Sequence, residues 1–128
     1  MLIFPLKKHW YEKIKSGEKT VEYREMKIYW IKRICNATQE WNYQNNYASV
    51  IFESETNEEV KGITKMTFIK KMPCILQNGY NPKTRLKADI SKIEVVNGKY
   101  TDLAIDKSVY AIHLSNVREP SIREVEEL

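Results

Sequence analysis

Lys19, Glu22 and Arg24 are the residues of this chain best suited to chemistry. They lie in "SGEKTVEYRE", Ser16 to Glu25, where five of ten residues are charged, two basic and three acidic. In an extended strand Glu22 and Arg24 share one face, roughly 6–7 Å apart. Lys19 stands three before Glu22, on the opposite face of a regular strand. It also follows Gly17 by two, so a bend there could bring its ammonium round to Glu22. An arginine offers a planar fork to a phosphate or a base edge. A lysine supplies a point charge or, when desolvated, a base or nucleophile. A glutamate accepts hydrogen bonds from an amino group or works as a general acid or base. Read from charge alone, the same residues also fit an ion-pair network on a solvated face, worth about 0–1 kcal/mol per pair.

Neighbouring segments must position these side chains. "LIFPL", Leu2 to Leu6, reads as a short buried strand, with Pro5 marking an edge or an early end. From Lys8 to Ser16 the pattern is helical: Trp10, Tyr11 and Ile14 share a face, with Lys8, Glu12 and Lys15 on another. Gly17 stands where a helix commonly ends in the left-handed conformation. "KTVEYRE" reads as a strand, with Val21 and Tyr23 on one face and Thr20, Glu22 and Arg24 on the other. "KIYWIKRI" suits a short helix with Lys32 and Arg33 outward. "NATQEWNYQNN", residues 36–46, is polar and Asn-rich and reads as a loop holding Trp41 and Tyr43.

The rest reads as β-rich. "YASVIFES" and "KGITKMTFIKKM" are predicted strands joined by a turn at 57–59, and "NGYNP" at 78–82 is a loop. "LKADISKIEVV" and "SVYAIHLSNV" are further strands, and "PSIREVEEL" an acidic tail. Strand, helix, strand, short helix and four or five strands make an α+β fold around a small sheet or barrel, a single domain over residues 1–128.

Bulk properties narrow the function. Residues 1–34 carry nine Lys or Arg and four Glu, so the formal net charge of +4 arises wholly in the first quarter of the chain. That asymmetry favours an anionic partner, nucleic acid first. Lys7, Lys8, Lys27, Lys32 and Arg33 flank the charged stretch and could hold phosphates. Tyr23, Tyr29, Trp30, Trp41 and Tyr43 could stack on bases, with Trp30 and Trp41 the first candidates for partial exposure. Trp10 is read as core, and His9 and His113 as structural. Cys35 and Cys74 are read as reduced, packed thiols. No Cys/His spacing suits zinc, so neither metal nor cofactor is expected. No apolar run approaches the roughly 20 residues of a membrane helix. In "MLIFPLKKHW" the charges follow the apolar run, unlike a secretory signal, so a cytoplasmic protein is expected.

"SGEKTVEYRE" resembles the signature G-x-K-x-x-E-x-R of the ASCH domain family, a branch of the PUA-like superfamily. Gly17, Lys19, Glu22 and Arg24 occupy its four positions. "LKKHWYEKIK" resembles the family's opening strand and helix. "EMKIYWIKRI" resembles its E-x-K-P-Y-W continuation, with Ile28 in place of the Pro. The specific likeness covers about a quarter of the chain. The resemblance implies a PUA-like β pseudo-barrel with two short helices near the N-terminus. It also implies a cleft beside the motif that takes RNA or a modified nucleoside. On that basis Lys19, Glu22, Arg24, Lys8, Lys27, Trp30, Lys32 and Arg33 are the candidate ligand-binding residues.

Two enzymatic branches of the family are similar, one with ribonuclease activity and one deacetylating acetylcytidine with a Lys, a Thr and a Glu. Lys19 and Glu22 would be catalytic only if the chain is such an enzyme. The amidohydrolase Thr is replaced here by Glu22, and Glu53 or Glu94 could serve as the later Glu. An RNA- or nucleotide-binding module, a hydrolytic enzyme and a protein-interaction domain with a purely structural motif are the three readings.

Overall fold

The structure, a computed structural model, describes residues 1–45 and 67–121. The chain opens with β1 (Leu2–Leu6), α1 (Lys8–Lys15), β2 (Val21–Glu25) and α2 (Ile28–Gln44). It closes with β3 (Thr67–Asn78), β4 (Arg85–Asn97), a 3-10 turn (Gly98–Tyr100) and β5 (Ser108–Arg118). The predicted strand at 47–54, the turn at 57–59, the start of "KGITKMTFIKKM" and the end of the acidic tail lie outside the described residues.

Five strands form one curled half-barrel sheet in the order β1-β3-β4-β5-β2. β1 runs parallel to β3, and every other pairing is antiparallel. The register shifts between Phe68 and Met72, between Lys87 and Asp89, and between Ile90 and Lys92. Such irregularities bend a strand and raise its twist, which curls a sheet this small. Among the described strands β1 and β2 are the two ends of this order, and both come from the first 25 residues. Phe4, Leu76, Ile90, Ile93, Tyr110 and Ile112 fill the hollow, with Tyr11 and Ile14 of α1 and Ile31 and Ile34 of α2 packed on them.

α1 is short and ends as expected. Lys13 and Lys15 stand in its last turn, where cations suit the helix dipole. Gly17 has φ +86°, and a Cβ there would touch nothing within 4 Å, so backbone conformation alone calls for glycine. The turn is sealed by Gly17 N–H donating to Ile14 O (3.1 Å) and Lys19 N–H donating to Lys13 O (3.1 Å). Lys19 is thereby folded back toward β2.

α2 differs from expectation. It is not a short helix followed by an Asn-rich loop: it runs 17 residues, through Trp41 to Gln44. Ile31, Ile34, Cys35, Thr38 and Asn42 form its buried stripe, a helical spacing that continues into the polar segment. Thr38 is accommodated because its hydroxyl donates back to Ile34 O (2.9 Å) and Cys35 O (3.0 Å). Tertiary packing therefore overrides the weak helix propensity of Asn and Thr.

Candidate functional site

Register places the charged stretch. Glu22 pairs with Ile112 and Arg24 with Tyr110, both core residues, so these two side chains turn toward the inside of the curl. Val21, Tyr23 and Glu25 pair with His113, Ala111 and Val109 on the other face. Glu22 is 5% exposed, far from the solvated edge that its charge alone suggests.

A buried carboxylate needs partners, and Glu22 has three. Its Oε1 accepts from Lys19 Nζ (3.3 Å) and Tyr23 N–H (2.9 Å), and its Oε2 accepts from Arg24 Nη2 (3.2 Å). Lys19 Nζ also donates to Asp102 Oδ2 and lies 4.4 Å from the centre of the Trp10 ring. The lysine is thus held between two carboxylates and against an aromatic face. Asp102 reaches it from the loop after β4, 83 residues away in sequence. That loop is pinned by Gly98, where a Cβ would stand 2.8 Å from both Ile105 O and Val109 Cγ1, so only glycine allows the approach.

Arg24 joins the two end strands of the described sheet, β2 and β1. Its Nη2 donates to Pro5 O on β1 (2.7 Å) as well as to Glu22. The guanidinium lies 4.8 Å from the Trp30 ring centre and 5.5 Å from that of Phe4, and Phe4 and Trp30 stack on each other at 5.4 Å. Its Nε is buried with no hydrogen-bond partner among the described residues.

These groups border a cleft of about 480 Å³ lined by Pro5, Lys7, Trp10, Glu22, Tyr23, Arg24, Glu25, Lys27, Trp30, Asp102 and Leu103. With Lys19 beneath it, the cleft has four cations and three carboxylates, so its charge is nearly balanced. Among the lining residues there is no serine, threonine or cysteine.

The structure brings together Lys19, Glu22, Arg24, Lys27 and Trp30. Lys8 lies apart, in a shallow groove with His9, Glu12, Lys13, Ser16 and Glu18. Lys32 and Arg33 are exposed on α2 outside the cleft, with Arg33 stacked 4.6 Å from the Tyr29 ring centre. Trp30 and Trp41 are both half-buried, as expected. Trp10 is a cleft wall and not solely core.

Asp102 and Leu103 had no signal in the sequence; both sit in a turn-rich stretch that gives no hint of its distant partner. Glu53 lies outside the described residues. Glu94 shares a register with Ala111, on the sheet face opposite Glu22. There its Oε2 lies 2.6 Å from His113 Nε2, and this hydrogen bond holds the Glu94 carboxyl below the usual carboxylate range.

Cys35 and Cys74 are both buried and form no disulfide, and burial pushes the Cys74 thiol up. Among the described residues no group of three His, Cys, Asp or Glu is placed to hold a metal ion. No helix among them is long and apolar enough to cross a membrane. No protein-family model, curated protein or solved structure matches the chain.

Proposed function

We propose that this is an RNA- or nucleotide-binding domain of the ASCH type, on a PUA-like pseudo-barrel, with its ligand in the cleft beside Lys19, Glu22 and Arg24. One observation carries the reading. Arg24 lines the cleft against Phe4 and Trp30 with its Nε buried and unpartnered among the described residues. An unmet buried donor costs about 1–3 kcal/mol and calls for an explanation. The side chain is 17% exposed and lines the cleft, so a small shift would bring that donor to an acceptor on a base edge or phosphate, and arginine is the side chain suited to such planar groups.

Recognition is favoured over catalysis by the state of the two candidate catalytic groups. Lys19 Nζ is already engaged by the carboxylates of Glu22 and Asp102, in the geometry of a structural ion pair. Both Glu22 oxygens already accept hydrogen bonds, which leaves a poor general base. An acyl-transfer role also wants a nucleophilic hydroxyl, and the described lining residues offer no serine or threonine.

Trp10 and Trp30 line the cleft and report on it by fluorescence. Titration with single nucleoside monophosphates is expected to perturb that emission to saturation. Arg24→Lys keeps the charge and loses the fork, and is expected to weaken the best of these ligands at least about tenfold, the worth of one charge-assisted hydrogen bond. Equal affinity in parent and variant would remove Arg24 from the site. In parallel, incubation with acetylcytidine is expected to release no cytidine. Turnover that disappears in Lys19→Ala would make the chain an amidohydrolase instead.

A further inference from the structure

Five of the first quarter's nine cations, Lys8, Lys13, Lys15, Lys32 and Arg33, lie outside the cleft, and the last two stand on α2. α2 carries Lys32, Arg33 and one acid, Glu40, and Lys27 just before it lies 3.6 Å from Glu25 Oε2. Lys27 lines the cleft, while Lys32 and Arg33 are exposed one turn further on. Among the described residues no carboxylate pairs with Lys32 or Arg33. Their neighbours on the outer face are of a kind that suits nucleic acid. Tyr29 is 57% exposed, carries the Arg33 guanidinium on its ring and meets Trp30 edge-on at 5.1 Å. Asn36 is exposed, and Tyr43 is 87% exposed. At 1.5 Å per residue, Tyr29 and Tyr43 stand roughly 21 Å apart on one face of the helix.

We infer that the exposed face of α2 is a docking track for the phosphodiester backbone of a single-stranded polynucleotide, one base of which occupies the cleft. The inference rests on the proposed nucleotide-binding cleft and adds to it. The physiological ligand is a strand and not a lone nucleotide, and its path leaves the cleft at Lys27 and Trp30 and runs along α2. Charge complementarity selects this occupant: Lys32 and Arg33 meet no carboxylate among the described residues, Glu40 is the one acid on the helix, and the exposed tyrosine and amide side chains beside them fit a polyanion with stackable bases. A protein partner would be favoured by a contiguous apolar patch, and Ile28 is the one exposed aliphatic residue on the described part of this helix. At a stacked spacing of about 3.4 Å per nucleotide, the track spans about six nucleotides.

The test uses a nine-nucleotide single strand of RNA, its DNA counterpart, and a mononucleotide, each titrated against the intact chain over a range of salt. The RNA strand is expected to bind at least tenfold more tightly than the mononucleotide. Its log–log salt slope is expected near −2, since three cations each contribute about −0.7 on a single strand. Lys32→Ala and Arg33→Ala are each expected to flatten that slope by about 0.7, while Lys99→Ala, in the 3-10 turn, leaves it unchanged. Circular dichroism confirms that these surface variants are folded. A strand that binds no more tightly than the mononucleotide, or a slope indifferent to Lys32 and Arg33, overturns the track and leaves the cleft reading standing. A mononucleotide that fails to bind while the strand behaves as expected overturns the cleft reading and leaves the track. Equal binding of the DNA strand assigns recognition to the shared backbone; preference for RNA assigns part of it to the 2′-hydroxyl.

Discussion

Glu22→Ala is expected to lower the free energy of unfolding by about 3–5 kcal/mol, the usual cost of removing one partner of a buried ion pair. Glu22 is 5% exposed and answers both Lys19 and Arg24. Alanine removes the carboxylate and leaves a void, with one guanidinium facing no carboxylate of its own. It also removes the acceptor of the Tyr23 N–H. Most single substitutions cost about 1 kcal/mol, so this one stands well apart. A domain of ordinary stability, about 5–15 kcal/mol, survives it but with a large part of its margin gone. Glu22→Gln keeps shape and acceptor while losing charge, and is expected to cost less, about 1–3 kcal/mol. Urea denaturation with circular dichroism measures both. A loss under 1 kcal/mol in Glu22→Ala would show that water serves Lys19 and Arg24 as well as the carboxylate does.

Arg24→Met is expected to cost about 3 kcal/mol or more, since it removes two hydrogen bonds made by a charged group, worth about 1.5–3 kcal/mol each, while methionine retains most of the apolar stem contact. The arginine links the two end strands of the described half-barrel through Pro5 O and shares Glu22 with Lys19. Its loss is therefore coupled to that of Glu22. In the double variant Glu22→Gln/Arg24→Met the two effects are expected to be non-additive by about 1 kcal/mol or more, within the range for residues in one network. Hydrogen exchange is expected to quicken at β1 and β2 ahead of β4 and β5, because the end strands lose their tie. Additive effects and uniform protection would mean that Arg24 spans the end strands without holding them.

The sequence made the corner legible. Gly17 announced the helix end, and the alternation of "VEYRE" put Glu22 and Arg24 on one face. Lys19 joined them because the turn after Gly17 folds it back onto Lys13 O. Alternation could not say which face of that strand looks inward, because a strand at the end of a small curled sheet carries polar groups on both sides. The burial of Glu22 follows only once β5 is known to place Ile112 and Tyr110 opposite.

Asp102 was illegible for a plainer reason: its meeting with Lys19 depends on the path of β4 and β5, which no local pattern encodes. α2 shows the reverse failure. Its periodicity is present, with Ile31, Ile34, Thr38 and Asn42 falling on one stripe, but two of the four are polar and have the chemistry of a loop. A threonine hydroxyl that returns to its own helix, and an asparagine 6% exposed, carry the stripe past the point where apolar residues stop.

The central claim is that the cleft beside Arg24 receives a nucleotide, and crystals soaked with the tightest-binding mononucleotide test it most directly. The account predicts density in the cleft lined by Trp10 and Trp30, with an acceptor atom within hydrogen-bond distance of Arg24. Density confined to the groove beside Lys8, or a cleft holding only solvent at saturating ligand, would contradict it.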